Sequence, residues 1–471
     1  MNGVITLLAL ILAVLIIVFA PVLATPYMSP FGAAQTITVS VCVRAVIFCV
    51  VVAFFVAVII RRGRDDGKYL LRLFLLALLV RVVIGTVICV FNGQDFFGGD
   101  SWTYDYFGYQ QTLAWGGDRS AAKEVAAFTG AGFQSGWGMV YLVAAIYEAV
   151  GRNILAVQFF NAILGAATAP IIFLSAKEVF HNARVARIAG IAVAFYPSMV
   201  LWSSQGLKDG PVVFGLALTI LTTLRLGQRV TFKYVAVLIF SLIALLSLRF
   251  YLFYMITAAV AGAFIIGSRA VTGTAFARQI FILVVLGLSL TYLGITRYAS
   301  VQFEAFGNLG RIEQSRRDAA RSAKSGFGED VDVSSAGGAI SNIPLGLVYL
   351  FFAPFPWQLA SLRQLITLPE MIVWWASFPM IVLGLWFSIK YRLRLIAPIL
   401  IFTTMLSLAY SVVQGNVGTA YRQRAQLLVF YFIFAAVGYV LVLEKREAKK
   451  RDRRRDPLAR GLPLSVAPPR S

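Results

Sequence analysis

Apolar runs of about 16 to 23 residues recur along almost the whole sequence, each ending in a short polar or charged break. As an α-helix, a run of about 20 apolar residues matches the hydrocarbon thickness of a bilayer. Backbone groups in lipid must pair internally, and these runs are too long and too uniformly apolar for barrel strands. The pattern predicts an all-α polytopic membrane protein. A mean hydropathy of +0.80, with 59% hydrophobic and 13% charged residues, excludes an ordinary soluble domain.

The net charge of +21 invites a nucleic-acid reading, but its placement argues against one. The basic residues gather between apolar runs and in the tail from Lys445 to Asp456. That is the positive-inside pattern, with a tail facing an anionic leaflet. The bilayer is thus the expected partner and nucleic acid is not. Cys42, Cys49 and Cys89 lie inside apolar runs and read as small hydrophobes. With His181 as the single histidine, in a basic stretch, acid–base chemistry falls to a carboxylate.

Counting runs against basic breaks gives about twelve spans with both termini cytoplasmic. The run 4–24 is read as an uncleaved span rather than a signal peptide. Residues 1–68 form an extra N-terminal hairpin, and 69–296 a catalytic membrane module with an outer loop over 92–153. An outer loop and a re-entrant segment cover 297–370, membrane helices 371–443, and a basic tail 444–471. Trp137–Val150, about 14 residues with Glu148, is too short to span comfortably and is read as a juxtamembrane helix. LGLVYLFFAPFPWQL (345–359), with Pro354 and Pro356, is read as half-inserted. The loop 297–342 is placed outside despite its arginines, because long loops follow the charge rule less strictly.

With this topology, four polar clusters fall on the outer face. The first is the island FNGQDFFGGDSWTYDYFGY (91–109), with Asp95, Asp100 and Asp105. The others are Gln205/Lys208/Asp209, Arg249/Tyr251, and NVGTAYRQR (416–424) with Arg422 and Arg424. Charges at membrane depth are costly unless paired or functional. An acid to take a proton from an attacking hydroxyl, and arginines to hold a phosphate as it gains charge, are the minimum for sugar transfer from a lipid phosphate. Each residue also has a plainer reading. Asp100 suits a solvated turn, Tyr104 interfacial packing, Lys208–Asp209 a structural ion pair, and Arg249 a cation at the membrane edge.

GGDSWTY (Gly98–Tyr104) resembles the first-loop acidic motif of the GT-C superfamily of integral-membrane glycosyltransferases, which includes the protein O-mannosyltransferases and the lipid A aminoarabinose transferases. Asp100 matches the family's acid and Tyr104 its tyrosine. Ser101 stands where the family often has Glu, so no role of that Glu carries over. WSSQGLKD and GNVGTAYRQR resemble segments of bacterial polysaccharide-associated members, and the resemblance runs over about 69–443. It implies an inverting transferase on the periplasmic face of the bacterial inner membrane. The donor would be a polyprenyl-phosphate-linked sugar and the acceptor a hydroxyl of a glycan, lipid or protein.

On this reading Asp100 is the catalytic base. Tyr104, Asp105, Gln205, Lys208, Asp209, Arg249, Tyr251, Arg422 and Arg424 bind substrate, with the arginines on the lipid phosphate. The residues fix no certain cofactor, and Asp100 with Asp105 are candidates to hold a divalent cation, Mg or Mn. Two rivals stand beside it. A polymerase or ligase of polyprenyl-diphosphate-linked glycans would not need Asp100. A lipid-linked-sugar flippase would place charges mid-span rather than at span ends.

Overall fold

The structure is a computed structural model. It describes residues 38–62, 66–91, 99–130, 136–266, 308–322, 325–329, 331–359 and 362–455, with isolated residues 14, 17, 284, 287 and 288. Among these, the chain is helical throughout, and a single isolated bridge pairs Gly326 with Asn416.

The helices are α1 (Val39–Arg61), α2 (Gly67–Val90), α3 (Asp100–Trp115), α4 (Arg119–Thr129), α5 (Trp137–Val150), α6 (Ile154–Phe180), α7 (Ala183–Phe195) and α8 (Pro197–Ser203). They continue as α9 (Asp209–Gln228), α10 (Phe232–Leu248), α11 (Phe250–Ile266), α12 (Leu309–Ser322), α13 (Ala336–Phe352), α14 (Leu362–Val413), α15 (Val417–Gln423) and α16 (Ala425–Arg455). By length and composition, six are able to cross a membrane, or seven if the bent pair α7–α8 counts as one span. α14 joins two apolar runs through non-helical backbone at Arg392 (φ −135°, ψ 18°). The runs 4–24 and 279–296 lie almost wholly outside the described residues.

Local chemistry sets the breaks. Asn153, Asn182 and Asn416 cap α6, α7 and α15 by accepting from backbone N–H groups of the first turn. Pro197 opens α8 at a 53° bend from α7, because proline supplies no N–H to continue the ladder. Burial separates centre from rim. The apolar window of α1 is 11% buried, against 78% for α6 and α9, so α6 and α9 form the middle of the bundle and α1 its edge. α5 packs on α3 so closely that a Cβ on Gly108 would lie 2.3 Å from Val143 Cγ1.

The long polar segment contributes α12 and a turn that docks on the connection into α15. Phe327 N donates to Gly415 O (2.9 Å) and Val417 N to Ser325 O (3.0 Å). Arg422 on α15 in turn reaches Asp100. The turn at 325–327 and the N-terminus of α3 therefore lie at the same end of the bundle.

Candidate functional site

Five helix ends meet at this end of the bundle. Asp209, the first residue of α9, is 2% exposed and holds two arginines. Arg249 Nη2 donates to its Oδ1 at 2.9 Å, and Arg422 Nε donates to its Oδ2 at 2.7 Å. Arg422 Nη2 also approaches Oδ2 at 2.6 Å, at an angle that makes it an ion-pair contact and not a hydrogen bond. The remaining nitrogen, Nη1, donates to Asp100 Oδ2 at 2.7 Å. Arg422 thus bridges two acids of unlike environment. The Asp209 side chain is buried, while that of Asp100 is 55% exposed.

Arg249 is itself 4% exposed. Its Nη1 donates to the Tyr251 hydroxyl (2.8 Å), which contacts the Tyr410 hydroxyl (3.0 Å), and Tyr410 donates to Gln426 Oε1 (2.7 Å). This chain runs from Asp209 into α14 and α16. It orients Arg249 toward Asp209, leaving Nε buried without an acceptor. Lys208, beside Asp209, places Nζ 5.9 Å from the centre of the Tyr104 ring, and Gly136 (φ +96°) packs against both side chains. Burial lowers the Lys208 pKa to about 8, helped by Arg249 and opposed by Asp209 and Asp100. Burial likewise raises the Tyr104 phenol above its ordinary value, with Asp100 adding to it. For Arg422, burial works against the charge, but Asp209 and Asp100 outweigh it and the pKa is raised.

Seven of the residues expected from the sequence therefore come together: Asp100, Tyr104, Lys208, Asp209, Arg249, Tyr251 and Arg422. Gln205 is near by in the chain, but it is fully buried and its Nε2 donates to Leu201 O (3.1 Å), which makes it part of the loop's framework. Two residues need correction. Arg424 does not face the cluster. It is 1% exposed, with Nε on Leu350 O (2.6 Å), Nη2 on Ala353 O and Nη1 on Met371 Sδ (3.2 Å). It ties the end of α13 to α14 and α16 and, fully buried there, is closed to a phosphate. Asp105 is taken by Arg152 (2.5 Å) and the Tyr147 hydroxyl (2.5 Å), in a buried triad that fixes α3 to α5 and the start of α6. Asp95 lies outside the described residues.

The same geometry bears on a divalent cation. Residues five apart on a helix point about 140° from each other, so Asp100 and Asp105 do not converge. Among the described residues, no group of three His, Cys, Asp or Glu is placed to hold a metal. A cation between Asp100 and Asp209 would have to displace Arg422 from both. Among the described residues, the donor set does not fit a metal.

Sequence reading missed Tyr410, Gln426 and Trp202. Trp202 lies in WSSQGLKD, and its ring is 5.8 Å from the Arg422 guanidinium carbon. An aromatic six residues before Lys208 was a usable signal for it. Tyr410 and Gln426 sit within apolar runs and gave none.

Residues 136–293 match the family model described as dolichyl-phosphate-mannose-protein mannosyltransferase. The match bears out the resemblance to the GT-C glycosyltransferases, and covers Lys208, Asp209 and Arg249 but neither Asp100 nor Arg422. No curated protein matches the chain. Among solved structures, it is similar to the archaeal oligosaccharyltransferase AglB from Archaeoglobus fulgidus, solved in complex with an inhibitory peptide and a dolichol-phosphate. Identity is 15%, the TM-score 0.48, and 84% of this chain and 53% of that one are covered. The Archaeoglobus fulgidus oligosaccharyltransferase in the apo form matches at 14% identity and a TM-score of 0.42, covering 81% and 52%. The chain spans about half the length of both.

Proposed function

We propose that this protein is an inverting glycosyltransferase, moving a sugar from a polyprenyl-phosphate donor to a hydroxyl acceptor at the outer face of a bacterial inner membrane. The observation that carries the reading is the exposed carboxylate of Asp100 against a guanidinium that buried Asp209 holds in place. Asp100 has the solvent access an acceptor hydroxyl requires. Arg422, oriented by Asp209, presents a fork suited to phosphate oxygens. The matched family's description, which names dolichyl-phosphate-mannose, supports the donor class.

In the reaction, Asp100 takes the acceptor proton as the acceptor oxygen bonds to the anomeric carbon. The carbon–oxygen bond to the phosphate breaks, and the phosphate leaves with the bonding pair. Arg422 and Lys208 face the charge that grows on it. Arg249 acts one step back, keeping Asp209 ionised and Arg422 oriented.

The test is transfer of labelled sugar from a synthetic polyprenyl-phosphate sugar by the purified chain in lipid. General-base catalysis is worth about 10²–10⁴-fold, so Asp100→Asn should lower kcat at least 100-fold with donor binding retained. Wild-type turnover in that variant defeats the assignment. Movement of labelled lipid across vesicles with no transfer product would support a flippase instead.

A further inference from the structure

Arg81 lies in the middle of α2, is 1% exposed, and among the described residues has no carboxylate within ion-pair distance. A charge at that depth needs a reason. Its reason lies on a neighbouring element. In an unbroken helix the Val193 carbonyl would accept from the N–H of residue 197, but residue 197 is proline and has none. The ladder of α7 closes with Tyr196 N on Ala192 O, which leaves the carbonyls beyond it open. Arg81 fills them. Nη2 donates to Val193 O (3.1 Å) and Nη1 to Ala194 O (2.7 Å), at the helix end whose dipole favours a cation. Nη1 also meets Ala77 O of its own helix (3.0 Å).

The third nitrogen crosses the bend. Nε donates to Ser203 Oγ at 2.8 Å, on the last residue of α8. One guanidinium therefore binds both arms of the 53° break. The surroundings are cut to fit it. A Cβ on Gly165 of α6 would lie 2.4 Å from Ser203 Cβ and 3.0 Å from Arg81 Nε, and one on Gly85, a turn beyond Arg81, would lie 2.8 Å from Ser204 O. From Ser203 the chain runs directly to Lys208 and Asp209, with Asn161 Nδ2 holding the loop through Gln205 O (2.7 Å) and Leu207 O (2.8 Å). A cavity of about 20 Å³ is lined by Arg81, Ser203, Trp202 and Asp209 together.

We propose that Arg81 is a positioning residue for the acid–arginine cluster. It replaces the hydrogen bond that Pro197 cannot give and the next one lost at the bend, keeps α7–α8 bent, and so delivers Asp209 to Arg249 and Arg422. The bend, not the stability Arg81 confers, is what the site uses. The inference rests on the proposed function: its turnover readout on sugar transfer, its binding readout only on the polyprenyl-phosphate ligand.

The test compares Arg81→Met, Arg81→Met/Pro197→Ala and Ser203→Ala in the full chain, with thermal stability, kcat, and affinity for undecaprenyl phosphate measured in the same micelles. Arg81→Met should lose stability, lower kcat at least tenfold per folded molecule and weaken undecaprenyl phosphate binding. Adding Pro197→Ala restores a backbone N–H for Val193 O, so stability should recover while kcat and binding stay low. Ser203→Ala removes only the far arm of the bridge and should lower kcat with a smaller loss of stability than Arg81→Met; it decides the matter if Arg81→Met does not fold. Recovery of turnover and binding together with stability in the double variant overturns the proposal, as does a wild-type kcat in Arg81→Met or Ser203→Ala. Asp100→Asn run alongside separates the two readings. Were it fully active, the assignment of Asp100 as the base would fall, while the comparison among the Arg81 variants would still decide this one.

Discussion

Asp209 and Asp100 share one arginine, yet replacing them should affect stability very differently. Asp209→Asn keeps the side chain's shape but removes its charge and one of two acceptor oxygens. Arg249 Nη2 and Arg422 Nε would then face a single carbonyl in a site where the Arg249 side chain is 5% exposed. Removing one partner of a buried pair costs about 3–5 kcal/mol, because the other charge stays buried and unpaired. Arg422 softens this, being 15% exposed and still paired with Asp100, so a cost near about 3 kcal/mol is expected. Asp100→Asn removes only a pair whose acid is 55% exposed, a class worth about 0–1 kcal/mol. Equilibrium unfolding of the purified variants in detergent, with transfer assayed on the same samples, measures both effects. Asp209→Asn should lose stability and activity together; Asp100→Asn should lose activity alone. A cycle with Arg249→Met adds a second check, since removing both buried charges should cost less than the sum by about 0.5–3 kcal/mol. Equal stability losses for the two Asn variants, or strict additivity in the cycle, would refute the division between a holding acid and a working acid.

Three further outcomes follow from the same geometry. Lys208 is cationic below its pKa of about 8 and loses its charge above it, so the donor KM should rise as pH passes about 8. Lys208→Arg should move that limb to higher pH, and Lys208→Met should abolish it, as read from KM–pH profiles. Arg424→Met strands the Leu350 and Ala353 carbonyls, each worth about 1–3 kcal/mol when buried without a donor, so unfolding should show a large loss while donor affinity per folded molecule is kept. Asp105→Asn should likewise destabilise the chain through Arg152 and Tyr147, with kcat per folded molecule within about twofold of wild type.

The all-helical membrane class was legible because lipid forces it on any chain with such runs. The polar clusters were legible because charge at span ends is rare enough to notice. What failed was direction within a helix. Arg422 and Arg424 are two residues apart, hence about 200° apart around an axis, and one serves the cluster while the other serves α13. Asp100 and Asp105 part in the same way. Partner choice was beyond the sequence altogether. Arg422 meets Asp100 across 322 positions and Asp209 across 213, and nothing local to any of them says that one guanidinium serves both acids.

The helix termini explain why the cluster stays charged. Asp100 and Asp209 each occupy the first turn of a helix, where the dipole favours an anion. Arg422 lies in the last turn of α15, where the dipole favours a cation. Arg249 stands between the C-terminus of α10 and the N-terminus of α11, where the two dipoles offset, and its charge is held by Asp209. Three charges are thus each matched to a helix end as well as to a partner. Lys208 breaks the pattern. It stands at the N-cap of α9, the end that repels a cation, makes no capping hydrogen bond, and among the described residues has no acid within ion-pair distance. With two acids and three cations, the cluster carries one positive charge in excess, and Lys208 is where that excess is least compensated. An anion seated against Lys208 and Arg422 would complete the balance and relieve the opposition of the α9 dipole. The phosphate of the donor is the group that the proposed reaction brings there, next to the one carboxylate of the cluster that solvent and an acceptor can reach.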